Sequence, residues 1–133
     1  MKPARAVLTN QELEIMKIVW KRGSSTVREV YEELLKHRKI AYTTVMSMMG
    51  TLEQKGRLRK SEQGRAFVYK PVEPETKVVG IMVQEFVKRV FNGSAGPLLV
   101  HLVENMGDDS DQLEEIRRLL REKKLLKERA RKK

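Results

Sequence analysis

The chain has 133 residues, 40% hydrophobic and 35% charged, with 28 Lys/Arg against 18 Asp/Glu for a net charge of +10, and no cysteine. That length makes one domain, or two small ones, with a modest core. The missing cysteine excludes disulfides, thiol catalysis and cysteine-based metal or redox sensing. No apolar run is long enough to span a bilayer, and Met1 to Thr9 lacks an apolar core followed by a cleavage site, so a cytoplasmic location is expected.

The charge is unevenly placed. Residues 1–72 carry 15 Lys/Arg against 7 Asp/Glu, a net +8; residues 73–122 carry 6 against 10, a net −4; residues 123–133 carry 7 against 1, a net +6. A basic front half, a mildly acidic middle and a basic tail predict a polyanion-binding unit followed by a different one. Charge alone selects a polyanion, and an RNA-binding protein would look the same on this measure.

Met1 to Leu8 reads as an arm whose Lys2 and Arg5 either touch phosphate or are solvated. Thr9-Asn10-Gln11-Glu12 is a capping box. The helix it opens carries Leu13, Met16 and Trp20 on one stripe and Ile15 and Val19 on its neighbour, and Gly23 stops it after Lys21 and Arg22. Trp20, the sole tryptophan, reads as a core anchor. After the connector Ser24-Ser25, Thr26-Val27-Arg28-Glu29 repeats the capping box. Val27, Val30, Tyr31 and Leu34 then mark a second helix running to about Lys36. His37-Arg38-Lys39-Ile40 is a basic turn; its lone histidine suits a phosphate contact better than a metal.

The third helix is expected from Ala41 to Gly56. Val45, Met48, Met49 and Leu52 form its apolar stripe, while Thr43, Ser47, Gly50 and Gln54 lie opposite, flanked by Met46 and Thr51. An ordinary solvent face would carry Glu and Lys. A face of short, uncharged, hydrogen-bonding side chains suits base edges in a groove. Two short helices, a tight connection and this third helix make a helix-turn-helix.

The period then changes to two. Leu58 to Ser61 and Ala66 to Lys70 are strand candidates joined by the turn Glu62-Gln63-Gly64-Arg65, with Phe67 and Tyr69 expected to pack inward. Arg57, Arg59, Lys60 and Arg65 edge this hairpin, in the position of a winged helix's basic wing, where cations reach phosphates or an adjacent minor groove.

Pro71 and Pro74 punctuate a linker. Glu75 to Phe91 is a helix with a wide apolar stripe that includes Val79, Met82, Val83, Phe86 and Val90. A short helix from Leu98 to Val103 adds Leu99 and Leu102, and a third, after the acidic loop Gly107 to Asp111, adds Ile116 and Leu120. Acids before a helix N-terminus are stabilising without a metal, and the loop lacks calcium-loop spacing, so no metal or cofactor is expected. As a lone unit these helices would expose much apolar area; a symmetric dimer sharing one core is the economical solution. A small-molecule pocket lined by the Val78–Phe91 stripe is a rival use of the same surface.

The fold class expected is therefore mainly α with a small β-hairpin wing. A winged helix-turn-helix occupies 1–72, a helical dimerisation domain 73–124 and a basic tail 125–133. No Ser-His-acid spacing, Gly-rich phosphate loop or paired metal-ligand pattern occurs, which argues against an enzyme. The competing reading is a sequence-tolerant basic nucleic-acid-binding protein, RNA- or nucleoid-associated.

The ordered segments Leu8-Thr9 through Ile15-Met16 with Val19-Trp20, Thr26-Val27 through Val30, Tyr42-Thr43-Thr44-Val45, Lys55-Gly56, Arg65 to Tyr69 with Pro71, and Phe91-Asn92-Gly93 resemble the penicillinase repressor (BlaI/MecI/CopY) family of winged-helix regulators. The resemblance implies a homodimer that represses promoters by binding an inverted-repeat operator in duplex DNA. It implies that Tyr42, Thr43, Thr44, Met46 and Ser47 face bases or phosphates from the third helix. Family members often carry Arg or Lys in this window; this chain has none. The resemblance further implies derepression through proteolysis of the dimerisation region, with a membrane metalloprotease sensor as partner. The family's Asn-Phe bond corresponds to His101-Leu102 here, and the cysteines of its copper-responsive branch are missing.

Overall fold

Thr9 Oγ1 accepts the Glu12 backbone N–H at 3.1 Å, while Glu12 Oε1 accepts that of Thr9 at 3.0 Å. This reciprocal cap opens α1, Asn10–Arg22, which ends at Gly23 with φ of 86°. The second box, Thr26 with Glu29, opens α2, Val27–Leu35. Here the Thr26 backbone N–H is the main influence on the Glu29 carboxyl; burial opposes it, and Arg22 at 2.7 Å helps hold the carboxyl below its ordinary range. α3, Tyr42–Gln54, ends in a Schellman motif: Gly56 at φ 80° donates to Glu53 O and Arg57 N–H donates to Leu52 O at 2.8 Å. The computed structural model describes residues 8–107 and 110–131. Lys2 and Arg5 of the arm, Asp108 and Asp109 of the acidic loop, and Lys132 and Lys133 lie outside them.

β1, Leu58–Gln63, pairs antiparallel with β2, Ala66–Pro71, from Leu58↔Pro71 to Gln63↔Ala66. The ladder is longer than the sequence suggests because the turn is only Gly64-Arg65. Gly64, at φ 63° in the first central position, permits a two-residue turn whose twist matches the strands, so Glu62 and Gln63 stay paired. Ser25, which reads as a plain connector, is a one-residue third strand: it exchanges backbone hydrogen bonds of 2.9 and 2.8 Å with Tyr69.

The core gathers Ile15, Met16 and Val19 of α1, Val30 and Leu34 of α2, Val45, Met49 and Leu52 of α3, and Leu58 and Tyr69 of the hairpin. Each such side chain contributes roughly 1.5–3 kcal/mol of burial. Phe67 does not pack inward as its alternation with Tyr69 implies: it is 48% exposed, with Lys60 Nζ 4.6 Å from its ring centre. It shares Tyr69's face but sits two residues nearer the hairpin tip, and Tyr69 alone reaches the core. Trp20 packs against the core and donates its Nε1–H to Glu73 O at 2.9 Å, tying α1 to the Pro-bounded linker. Three helices and a following antiparallel hairpin make this part of the chain a winged helix.

The chain divides into two compact units, Met1–Val83 and Gln84–Lys133, with the division inside α4, Glu75–Phe91. In the first unit Val78 is buried and Met82 packs against the core. In the second, Phe91 meets Phe86 edge-on at 5.9 Å and His101 at 5.8 Å. α5, Ala95–Met106, starts earlier than Leu98: Pro97 is its third residue, where a backbone N–H has no intrahelical acceptor and its loss is harmless. α6, Ser110–Arg131, carries the basic tail on as helix. Among the described residues no helix is long and apolar enough to cross a membrane.

Candidate nucleic-acid interface

The stripe of α3 facing the core is buried at Val45, Met49 and Leu52, which forces the opposite side outward. Thr43, Thr44, Met46, Ser47, Thr51 and Gln54 are exposed and Gly50 is half-buried. Glu53 is the one charged residue between Tyr42 and Gln54. Thr51 Oγ1 donates to Ser47 O at 3.1 Å, a back-bond within the helix. Gln54 and Thr51, which the 3.6-residue period places on this face, are as exposed as the first-turn residues that the resemblance marks.

Tyr42, at the first position of α3, is partly committed to the fold. Its ring stands at 80° to Tyr31 with centres 5.3 Å apart, and Arg28 Cζ lies 5.7 Å from its centre. These contacts fix the start of α3 against α2, which has no side-chain cap from Ala41. Arg28 is a cation beside this edge that sequence reasoning did not single out, because only the packing of α2 on α3 brings it there.

The four cations assigned to the wing separate. Arg59, Lys60 and Arg65 are exposed along the hairpin, joined by Lys70. Arg57 stands apart from these: its side chain is 10% exposed, Nη1 lies 3.8 Å from Glu73 Oε1, and Nε is buried without a hydrogen-bond partner. It immediately follows the Schellman turn, where the chain enters the hairpin, and its side chain packs toward Glu73 of the linker. Lys60 Nζ is 3.9 Å from Glu53 Oε1, which joins the wing root to the end of α3. In the basic turn Arg38 is held by Glu14 at 2.8 Å, leaving His37 and Lys39 exposed.

In the second unit the side chains assigned to dimerisation stay open. Phe86, Val90, Leu99, Leu102 and Leu120 are exposed, and Ile116 is half-buried. Among the described residues of α5 and α6 none is fully buried. Val79, Met82 and Val83 lie in the first unit's share of α4: Val79 and Met82 are half-buried and Val83 exposed. Met82 is therefore divided between core packing and any partner. His101 and Leu102 are exposed but lie mid-helix in α5. Among the described residues no three His, Asp or Glu side chains are grouped to hold a metal.

The sequence model of the family described as "Penicillinase repressor" matches residues 8–122. The chain is 31% identical over 117 residues to the penicillinase repressor of Bacillus licheniformis, covering 88% of this chain and 91% of that one. It is 36% identical over 117 residues to the transcriptional regulator BlaI of Mycobacterium tuberculosis, covering 86% and 83% respectively. The solution structure of the DNA-binding domain of the repressor BlaI superposes with a TM-score of 0.50 at 37% identity, covering 57% of this chain and 92% of that one.

Proposed function

This chain belongs to the penicillinase repressor family, and we propose that it is a homodimeric transcriptional repressor that binds a palindromic operator in duplex DNA. The observation that carries this reading is the outer face of α3: exposed, free of Lys and Arg, and bordered by the exposed wing cations Arg59, Lys60 and Arg65. Thr43, Thr44, Met46 and Ser47 face the major groove, Tyr42 anchors the helix start, and the wing cations hold phosphates, positioning without reading sequence.

The second unit supplies the partner contact. Phe86, Val90, Leu99, Leu102 and Leu120 remain open in the single chain, and a second copy is what covers them. Derepression acts on this unit: a membrane metalloprotease sensor cleaves α5 at His101-Leu102. Because that bond lies within a helix, cleavage requires α5 to open first.

Fluorescence anisotropy of the full chain on labelled duplexes at rising salt tests the reading. With Arg59, Lys60 and Arg65 as the phosphate contacts of each subunit, a dimer has a slope of log K against log salt of about −5. Affinity for a selected inverted repeat must exceed that for a scrambled duplex of the same composition. Equal affinities would favour a sequence-tolerant nucleic-acid binder.

A further inference from the structure

The chemistry left on α3 points to what kind of half-site it reads. Guanine is the base most often recognised by a bidentate Arg or Lys at O6 and N7, and α3 from Tyr42 to Gln54 has neither. It offers apolar groups instead. Met46 holds a flexible thioether 47% exposed. Thr51 donates its hydroxyl hydrogen to Ser47 O, so toward a partner it offers the γ-methyl and an acceptor oxygen but no donor. In the major groove the apolar feature of a base edge is the thymine C5-methyl.

Gly50 lies between these two on the same face. Glycine is among the poorest residues in a helix interior, yet neither backbone nor packing requires it here. Its φ lies outside the positive region, and a Cβ built on it meets no atom within 4 Å. Nothing among the described residues therefore calls for a bare position there.

Resting on the reading of α3 as the groove-facing helix, we infer that this repressor recognises A·T-containing half-sites through thymine methyls, met by Met46 and Thr51 in a groove that closes onto Gly50. The ligand class is a duplex whose selectivity under α3 is apolar and lacks a cation-to-guanine contact.

The full chain is first used to select bound sequences from a library of random 30-base-pair duplexes, and each thymine of the selected half-site is then replaced by deoxyuridine, which removes only the methyl. Loss of one buried methyl contact weakens binding about fourfold. At least one thymine per half-site shows this penalty with the unaltered chain, and Met46→Ala or Thr51→Ser abolishes it at its own position. Gly50→Ala leaves the melting temperature equal or higher and lowers affinity tenfold or more. Selective binding with no deoxyuridine penalty at any position, or a penalty unchanged in both variants, overturns methyl reading while leaving the repressor reading intact. Full affinity in Gly50→Ala overturns the close approach. A library from which no sequence is enriched overturns the repressor reading itself.

Discussion

Lys55 Nζ lies 2.8 Å from Glu12 Oε2 while the other oxygen of that carboxylate accepts the Thr9 backbone N–H, so one side chain both closes the first turn of α1 and ties α1 to the end of α3. Burial by itself would push the Glu12 carboxyl up, but the Lys55 ammonium and the Thr9 N–H together hold it below its ordinary range. A carboxyl lowered in the folded state stabilises the fold fully above its unfolded value, and that stability is lost as pH falls through the folded value. Lys55→Met should therefore cost about 1–2 kcal/mol at pH 7 and flatten the fall in stability between pH 5 and pH 3. Urea unfolding at pH 7, 5 and 3 checks it; a variant that loses stability equally at pH 7 and pH 3 would exclude the linkage.

Arg57 and Arg65 are both hairpin cations in the sequence, and they should fail in different ways. Arg57→Ala removes a side chain packed against Glu73, and about 1 kcal/mol lost in a domain of this size lowers the melting temperature by roughly 4–8 °C. Arg65→Ala leaves melting unchanged, weakens binding to every duplex alike and reduces the salt slope by about 1 per subunit. Paired calorimetry and anisotropy separate the two; a thermally silent Arg57→Ala with the same binding loss as Arg65→Ala would return Arg57 to the phosphate contacts.

Much of this architecture is legible from local chemistry. The boxes Thr9-Glu12 and Thr26-Glu29, the stop at Gly23 and the turn at Gly56 are short-range signals, and the stripe Val45, Met49 and Leu52 follows from a single period. What stayed hidden depends on contacts between residues far apart in the chain. Ser25 becomes a strand because Tyr69 comes beside it, and Arg57 turns inward because Glu73 faces it. Phe67 shows the limit of alternation: period two fixes which side of a strand a residue takes, not whether anything covers that side. On α3 the period identifies the outer face, but only the structure reveals that Thr51 donates its hydroxyl hydrogen to Ser47 O and that Gly50 has room for a methyl.

The open leucines of α5 predict a third outcome. Leu99→Glu combined with Leu102→Glu places charge where the proposed partner copy packs, and burying an unpaired carboxylate is costly enough to prevent association. Sedimentation velocity should report a monomer, while Trp20 fluorescence, which senses the first unit's packing, stays native. Affinity for the selected inverted repeat should fall by about two orders of magnitude as the two half-sites cease to be bound together. A double variant that remains dimeric would place the partner contact elsewhere.

Two copies of one uncharged helix face reading one symmetric duplex fix a stoichiometry, which sedimentation of the full chain with that duplex measures. Mixed with a selected duplex carrying both half-sites about one helical turn apart, the chain should sediment as two copies per duplex, with far weaker binding when one half-site is scrambled. One chain per duplex, or an affinity indifferent to the loss of a half-site, would contradict it.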